Sequence, residues 1–94
     1  MVVAICRVSL SMPSSASLKD KRSALKPILS RLRREFNVSV AEVERQDDVA
    51  FGVIAMACVS TDAGYAHGLL EKAVGMIDRG HWAAVVDDYS IEVV

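Results

Sequence analysis

Aromatic side chains are scarce in this 94-residue chain: one Trp, two Tyr and two Phe make up 5% of it. A sheet that stacks RNA bases needs aromatics on its central strands, and here only Phe51 falls in a candidate central strand. Long apolar runs are missing too. The longest stretch without a charge, 49–61, contains Gly52 and falls short of the ~20 apolar residues that cross a bilayer. No basic region precedes Met1-Val2-Val3-Ala4-Ile5, so the start does not read as a signal peptide. Both absences predict a cytoplasmic protein with no membrane role.

Cysteine is nearly absent, with Cys6 and Cys58 alone, no Cys-x-x-Cys and no Cys/His group at zinc spacing. Each lies in a strand-like apolar segment and reads as a small buried hydrophobe. A disulfide would require those two strands to pair, and a cytosolic setting disfavours it. The chain also has no Gly-rich phosphate loop, no Walker lysine and no Gly-x-Ser-x-Gly. His67 and Glu71 stand at i, i+4, two ligands short of a structural metal site. Asp87 and Asp88 are adjacent, so in a regular strand they face opposite ways. No nucleophile can be grouped with a base and an orienting residue. These absences predict a protein that is not an enzyme, with no cofactor and no metal.

What is present is a substantial core. Apolar residues make up 52% and charged ones 24%, enough for one domain over 1–94 and too apolar for a disordered chain. Residues 2–12 alternate, with Ala4, Cys6, Val8, Leu10 and Met12 on one side, as in a strand with one buried face. A Pro-Ser loop follows. Ser17 is a candidate N-cap, with Asp20 completing a capping box. Leu18, Leu25, Ile28, Leu29, Leu32 and Phe36 share an arc of about 100° on a helix over 18–36. Pro27 inside it predicts a kink or a later start. Lys21 projects into the apolar arc, so either its stem snorkels or the first turn is out of register.

A weakly alternating segment, 37–44, reads as a second strand, 45–48 as a polar turn, and 49–59 as a central strand covered on at least one face. Asp62 is the expected N-cap of a helix over 63–79, with Tyr65, Leu69, Ala73, Met76 and Ile77 inward and Gly80 as the C′ residue. Residues 83–94 form the last strand. The order βαββαβ predicts an α+β, ferredoxin-like domain: a four-stranded antiparallel sheet, order 4-1-3-2, with both helices on one face.

Eleven bases oppose twelve acids, for a net charge of −1, but the distribution is uneven. Between Lys19 and Glu35 there are seven bases and two acids, so that segment carries +5 and the remainder −6. Lys19, Arg22, Lys26 and Arg33 lie within a stripe of about 60° on a helical wheel. Such a stripe can follow a phosphate backbone, where counterion release drives binding; it can equally be the solvated face of an amphipathic helix. The candidate phosphate-binding residues are Lys19, Lys21, Arg22, Lys26 and Arg33. The strands also hold more apolar residues than one buried face needs. Val3 and Ile5 fall opposite the Cys6 side, and residues of both parities in 49–59 are apolar. A second apolar surface predicts a homodimer formed through the sheet or its edge.

The runs Ser17-Leu18-Lys19-Asp20-Lys21-Arg22-Ser23 and Phe36-Asn37-Val38-Ser39-Val40-Ala41-Glu42-Val43, followed by Gln46-Asp47 and by Val59-Ser60-Thr61-Asp62, resemble a small bacterial family known as YlxP-like. The resemblance covers about 5–78 and departs after Asp47, where relatives often continue with aromatic and basic residues. It implies a cytoplasmic bacterial protein with a ferredoxin-like fold. It also implies a link to transcription or translation genes, hence an RNA- or ribosome-associated role. It supplies no catalytic residues. Lys19, Lys21 and Arg22 match its basic motif. The expected function is a non-enzymatic RNA- or ribosome-associated binding protein; the alternative is a homo-oligomeric protein-interaction module.

Overall fold

The computed structural model describes all 94 residues. Its elements are β1 (Val2–Ser11), α1 (Leu18–Glu35), β2 (Ser39–Glu44), β3 (Phe51–Ser60), α2 (Ala63–Arg79) and β4 (Val85–Val93). The four strands form one antiparallel sheet in the order β2-β3-β1-β4, the expected order read from the other edge. Period two decides the layering. Ala4, Cys6, Val8 and Leu10 are at most 1% exposed, while Val3, Ile5, Arg7 and Ser9 on the opposite side keep contact with solvent. Ile54 and Met56 lie beside Val8 and Cys6 and complete the floor on which the helices rest.

Each helix begins at the cap its sequence announces. Ser17 Oγ accepts from the Asp20 N–H at 3.1 Å, and Asp20 Oδ2 accepts in return from the Ala16 N–H at 3.0 Å. Asp62 Oδ1 accepts from the Gly64 N–H at 3.1 Å. Such caps satisfy donors that the first turn leaves open. Pro27 neither delays α1 nor splits it: the helix runs unbroken from Leu18. Anchors on both sides of the proline, Leu25 and then Ile28 and Leu32, are buried. Each such side chain contributes about 1.5–3 kcal/mol, which outweighs the one backbone hydrogen bond that Pro27 removes.

The inner face of α2 is as expected at Ala73, Met76 and Ile77, with Leu69 partly buried against the core, and differs in the first turns. Ala66 and Leu70 are fully buried with Ala73 and Ile77, whereas Tyr65 is 64% exposed. Both stripes have helical spacing; the smaller side chain is the one that lets the helix approach the sheet, and the Cys58 thiol lies against the Ala66 carbonyl. Gly80 caps α2 with φ −80°, so no left-handed conformation is involved. Its role is space, because a Cβ there would overlap the indole of Trp82.

β1 and β3 pair side by side, yet Cys6 lies opposite Met56 and Cys58 opposite Ala4. The two thiols are offset by one side-chain step and both are free. The two edge strands are each interrupted: the register shifts between Glu42 and Glu44 on β2, and opposite Ser9/Leu10 on β4. The second shift breaks strict alternation at Asp87 and Asp88, and Asp87 Oδ1 accepts the Ser11 hydroxyl at 3.0 Å. Bulges of this kind blunt an edge against strand addition.

Replacing Pro27 with Ala should restore the missing helix bond on an exposed face. Urea denaturation is expected to show a stability gain of about 1–3 kcal/mol.

Candidate nucleic-acid interface

The basic segment of the sequence becomes one flank of the molecule, where α1 lies over the β2 side of the sheet. Arg22, Lys26 and Arg33 line a groove of about 270 Å³ whose floor is Leu25 and Leu29 and whose far wall is Glu42. Helical spacing brings them together: positions 22, 26 and 33 recur on one face, with about 16 Å of rise from first to last. Lys19 is exposed one turn earlier. Arg33 is held in place, its Nη2 donating to the Val40 carbonyl at 3.0 Å. That bond also caps a carbonyl of the edge strand. Arg31 and Arg34 lie off the groove; Arg31 pairs with Glu35 at 2.9 Å and its guanidinium sits 5.7 Å from the Trp82 ring.

Lys21 does not join this set. Its side chain is 2% exposed, and its ammonium lies 2.8 Å from Glu42 Oε2 and 2.6 Å from the Arg45 carbonyl. Snorkelling of the stem, one of two expected outcomes, is therefore half of the answer: the stem is buried and the head is consumed by an internal ion pair. A phosphate contact at Lys21 would require breaking both partners. The partners come from the β2–β3 hairpin, which is shaped to supply them. Arg45 adopts φ 59°, rare for a side-chain-bearing residue, and so turns its carbonyl to the ammonium. Its guanidinium stacks on Phe51 at 4.6 Å and donates to Asp48 Oδ2 at 2.7 Å.

Asp48 Oδ1 accepts from the Ala50 and Phe51 N–H groups at 3.0 and 3.2 Å. These backbone donors, chiefly that of Ala50, with the Arg45 guanidinium hold its carboxyl below the ordinary range. Gly52 completes the fit: a Cβ there would stand 3.1 Å from Lys21 Cε and 3.4 Å from Glu42 Oε2.

On the opposite flank, α2 and β4 border a hollow of about 430 Å³ that gathers Glu71, Asp78, Asp87 and Asp88 around Tyr89, with Arg79 as the one cation among the four acids. The Tyr89 hydroxyl donates to Glu71 Oε2 at 2.8 Å, which raises the phenol above its ordinary value. His67 approaches the same carboxylate at 3.9 Å, so the His67/Glu71 pair is part of a tether between α2 and β4. Burial pushes the Cys6 thiol up to about 11, with the charge of Glu71 adding to the effect. No helix is long and apolar enough to cross a membrane.

The sheet face away from the helices carries Val3, Ile5, Ala55, Ala57 and Val59, with Val59 67% exposed. Arg7 and Glu44 form an ion pair across it. Sequence reasoning found the cations of α1 and this second apolar surface. It did not find Glu42 and Arg45 as the partners of Lys21, or Asn37 and Ser39, which line a further hollow beside Arg33. The signal for the first pair was present in the misplaced lysine of the apolar arc.

A family model described as "Protein of unknown function (DUF503)" matches residues 3–89. The "Uncharacterized protein YlxP" of Bacillus subtilis (strain 168) is 36% identical over 64 residues, covering 68% of this chain and 70% of that protein. Among solved structures, the "De novo designed protein Foldit4" superposes with a TM-score of 0.54 at 15% identity, covering 100% of this chain and 97% of the other. At that identity the likeness concerns the fold alone.

Lys21→Met is expected to leave Glu42 without its ammonium and to cost about 2–4 kcal/mol in urea denaturation. The cost is held below that of a fully buried pair because Glu42 is 24% exposed. Gly52→Ala should cost about 1–3 kcal/mol through the same contact. Equal stability of Lys21→Met and the parent would remove the structural role assigned to the pair.

Proposed function

The chain belongs to the DUF503 family, and for this member of it we propose a non-enzymatic, RNA- or ribosome-associated binding role, with the phosphate backbone of unpaired RNA held along α1. The observation that carries the reading is the convergence of Arg22, Lys26 and Arg33 on one groove, with Lys19 in line with them. Phosphate contacts of this type fix the position of a strand without reading its sequence. The acidic hollow beside β4 repels the same polyanion, so the charge distribution also orients the approach. The shortage of aromatics argues against stacking on the sheet and in favour of backbone contacts.

A second reading is supported by a separate observation. The whole outer sheet face, its apolar β1–β3 part together with the polar β4 side of Asp88, Ser90 and Glu92, is large enough to seat another copy of this chain. Its strands comprise ten, ten, nine and six residues, about 550 Å² per copy at ~3.3 Å rise and ~4.8 Å strand spacing. Two copies would bury about 1,100 Å², just above the ~1,000 Å² that a specific interface needs. Sedimentation equilibrium should then show a dimer forming in the micromolar range, and a monomer at high micromolar concentration counts against this reading.

The RNA reading is tested by fluorescence anisotropy with short single-stranded RNA. Four engaged cations predict a slope of log affinity on log salt of about −3, from ~0.7 per phosphate neutralised. Arg22→Glu with Lys26→Glu is expected to abolish binding; binding unchanged in that variant would refute the assignment.

A further inference from the structure

Arg33 lines two hollows at once. On one side is the α1–β2 groove with Arg22 and Lys26. On the other is a hollow of about 590 Å³ at the start of β2, bordered by Asn37, Val38, Ser39, Ala57 and Val59. Its size falls in the ~300–1,000 Å³ range of small-ligand sites. Arg33 is the one residue that lines both, and its guanidinium donates to the Val40 carbonyl at 3.0 Å. One of its five N–H donors is used there, so the others can serve a ligand.

From this junction we infer a nucleotide-recognition site: the hollow beside Arg33 takes one unpaired base of the RNA strand whose phosphates lie along α1, with adenine preferred. The inference rests on the phosphate-binding reading and adds sequence discrimination to it. A strand following Arg22 and Lys26 arrives at Arg33 and has the hollow directly ahead. The walls suit a flat heterocycle. The hollow wraps the sheet edge, with Val38 offering apolar contact on the core side and Ala57 and Val59 on the outer side, and the Arg33 guanidinium offers the stacking surface that arginine supplies when aromatics are missing. The polar groups choose the base. The Asn37 amide presents one acceptor and two donors, the pattern that pairs bidentately with adenine, and the Ser39 hydroxyl can donate or accept. Asn37 and Ser39 are both exposed, so the base reaches them without unpacking the core.

The test compares labelled eight-nucleotide oligoadenylate, oligocytidylate and oligouridylate by anisotropy at low salt. The parent chain is expected to bind oligoadenylate about tenfold more tightly than the other two. Asn37→Ala with Ser39→Ala should bring oligoadenylate down to the level of the others and leave the salt slope unchanged; circular dichroism checks the fold. Arg22→Glu with Lys26→Glu should weaken all three alike. Equal, salt-dependent binding of the three by the parent overturns the base site and leaves the phosphate reading standing. A preference that survives Asn37→Ala with Ser39→Ala also overturns it, because the base is then read elsewhere. Absence of binding to any of the three overturns the phosphate reading and the base site together.

Discussion

The ammonium of Lys21, 2.8 Å from Glu42 Oε2 and 2.6 Å from the Arg45 carbonyl, joins the first turns of α1 to the hairpin between β2 and β3. Much of the molecule's detail is a consequence. A buried charge requires close partners and full hydrogen bonding. Arg45 therefore takes a left-handed conformation to present its carbonyl, and Asp48 and Phe51 hold the Arg45 side chain while it does so. Gly52 leaves room for the lysine stem. Glu42 faces the helices and keeps only partial contact with solvent, and the bulge that follows it ends regular pairing of the edge strand.

The same contact sets up the exposed groove. With Lys21 turned inward, its neighbours Arg22 and Lys26 are the cations that remain at the α1–β2 boundary, and Arg33 closes the row from the last turns of the helix. Glu42 serves both sides, as partner of the buried lysine and as one wall of the groove. A molecule with net charge −1 thus has one basic flank and one acidic flank. The field of such an arrangement acts on a charged partner through its direction more than through its sum.

Much of the fold was legible because it is local. Alternation in 2–12 reports a strand with one buried side wherever that strand is placed. Ser17 and Asp62 cap helices through contacts two or three residues away. The basic stripe follows from helical spacing alone. The misreadings arose where two local solutions were equally good. The Tyr65/Leu69 and Ala66/Leu70 stripes of α2 have the same period, and it is packing against the sheet, where Ala66 lies over Cys58, that selects the second. Pro27 suggested a kink or a later start because its local cost is visible, whereas the burial that keeps the helix running from Leu18 belongs to the packed domain.

Sequence by itself determined the element order, the antiparallel sheet with two helices on one face, the polarised charge and the excess of apolar side chains on the strands. Periodicity and capping are properties of neighbours along the chain, so they survive without tertiary information. Tertiary structure decided which cations are available. Lys21 and Arg45 are 24 residues apart, and nothing local distinguishes a lysine that will meet a carbonyl and a carboxylate from one that will meet water. It also decided that Asn37 and Ser39 stand beside Arg33. A hollow between a helix end and a strand start exists only after the two have packed.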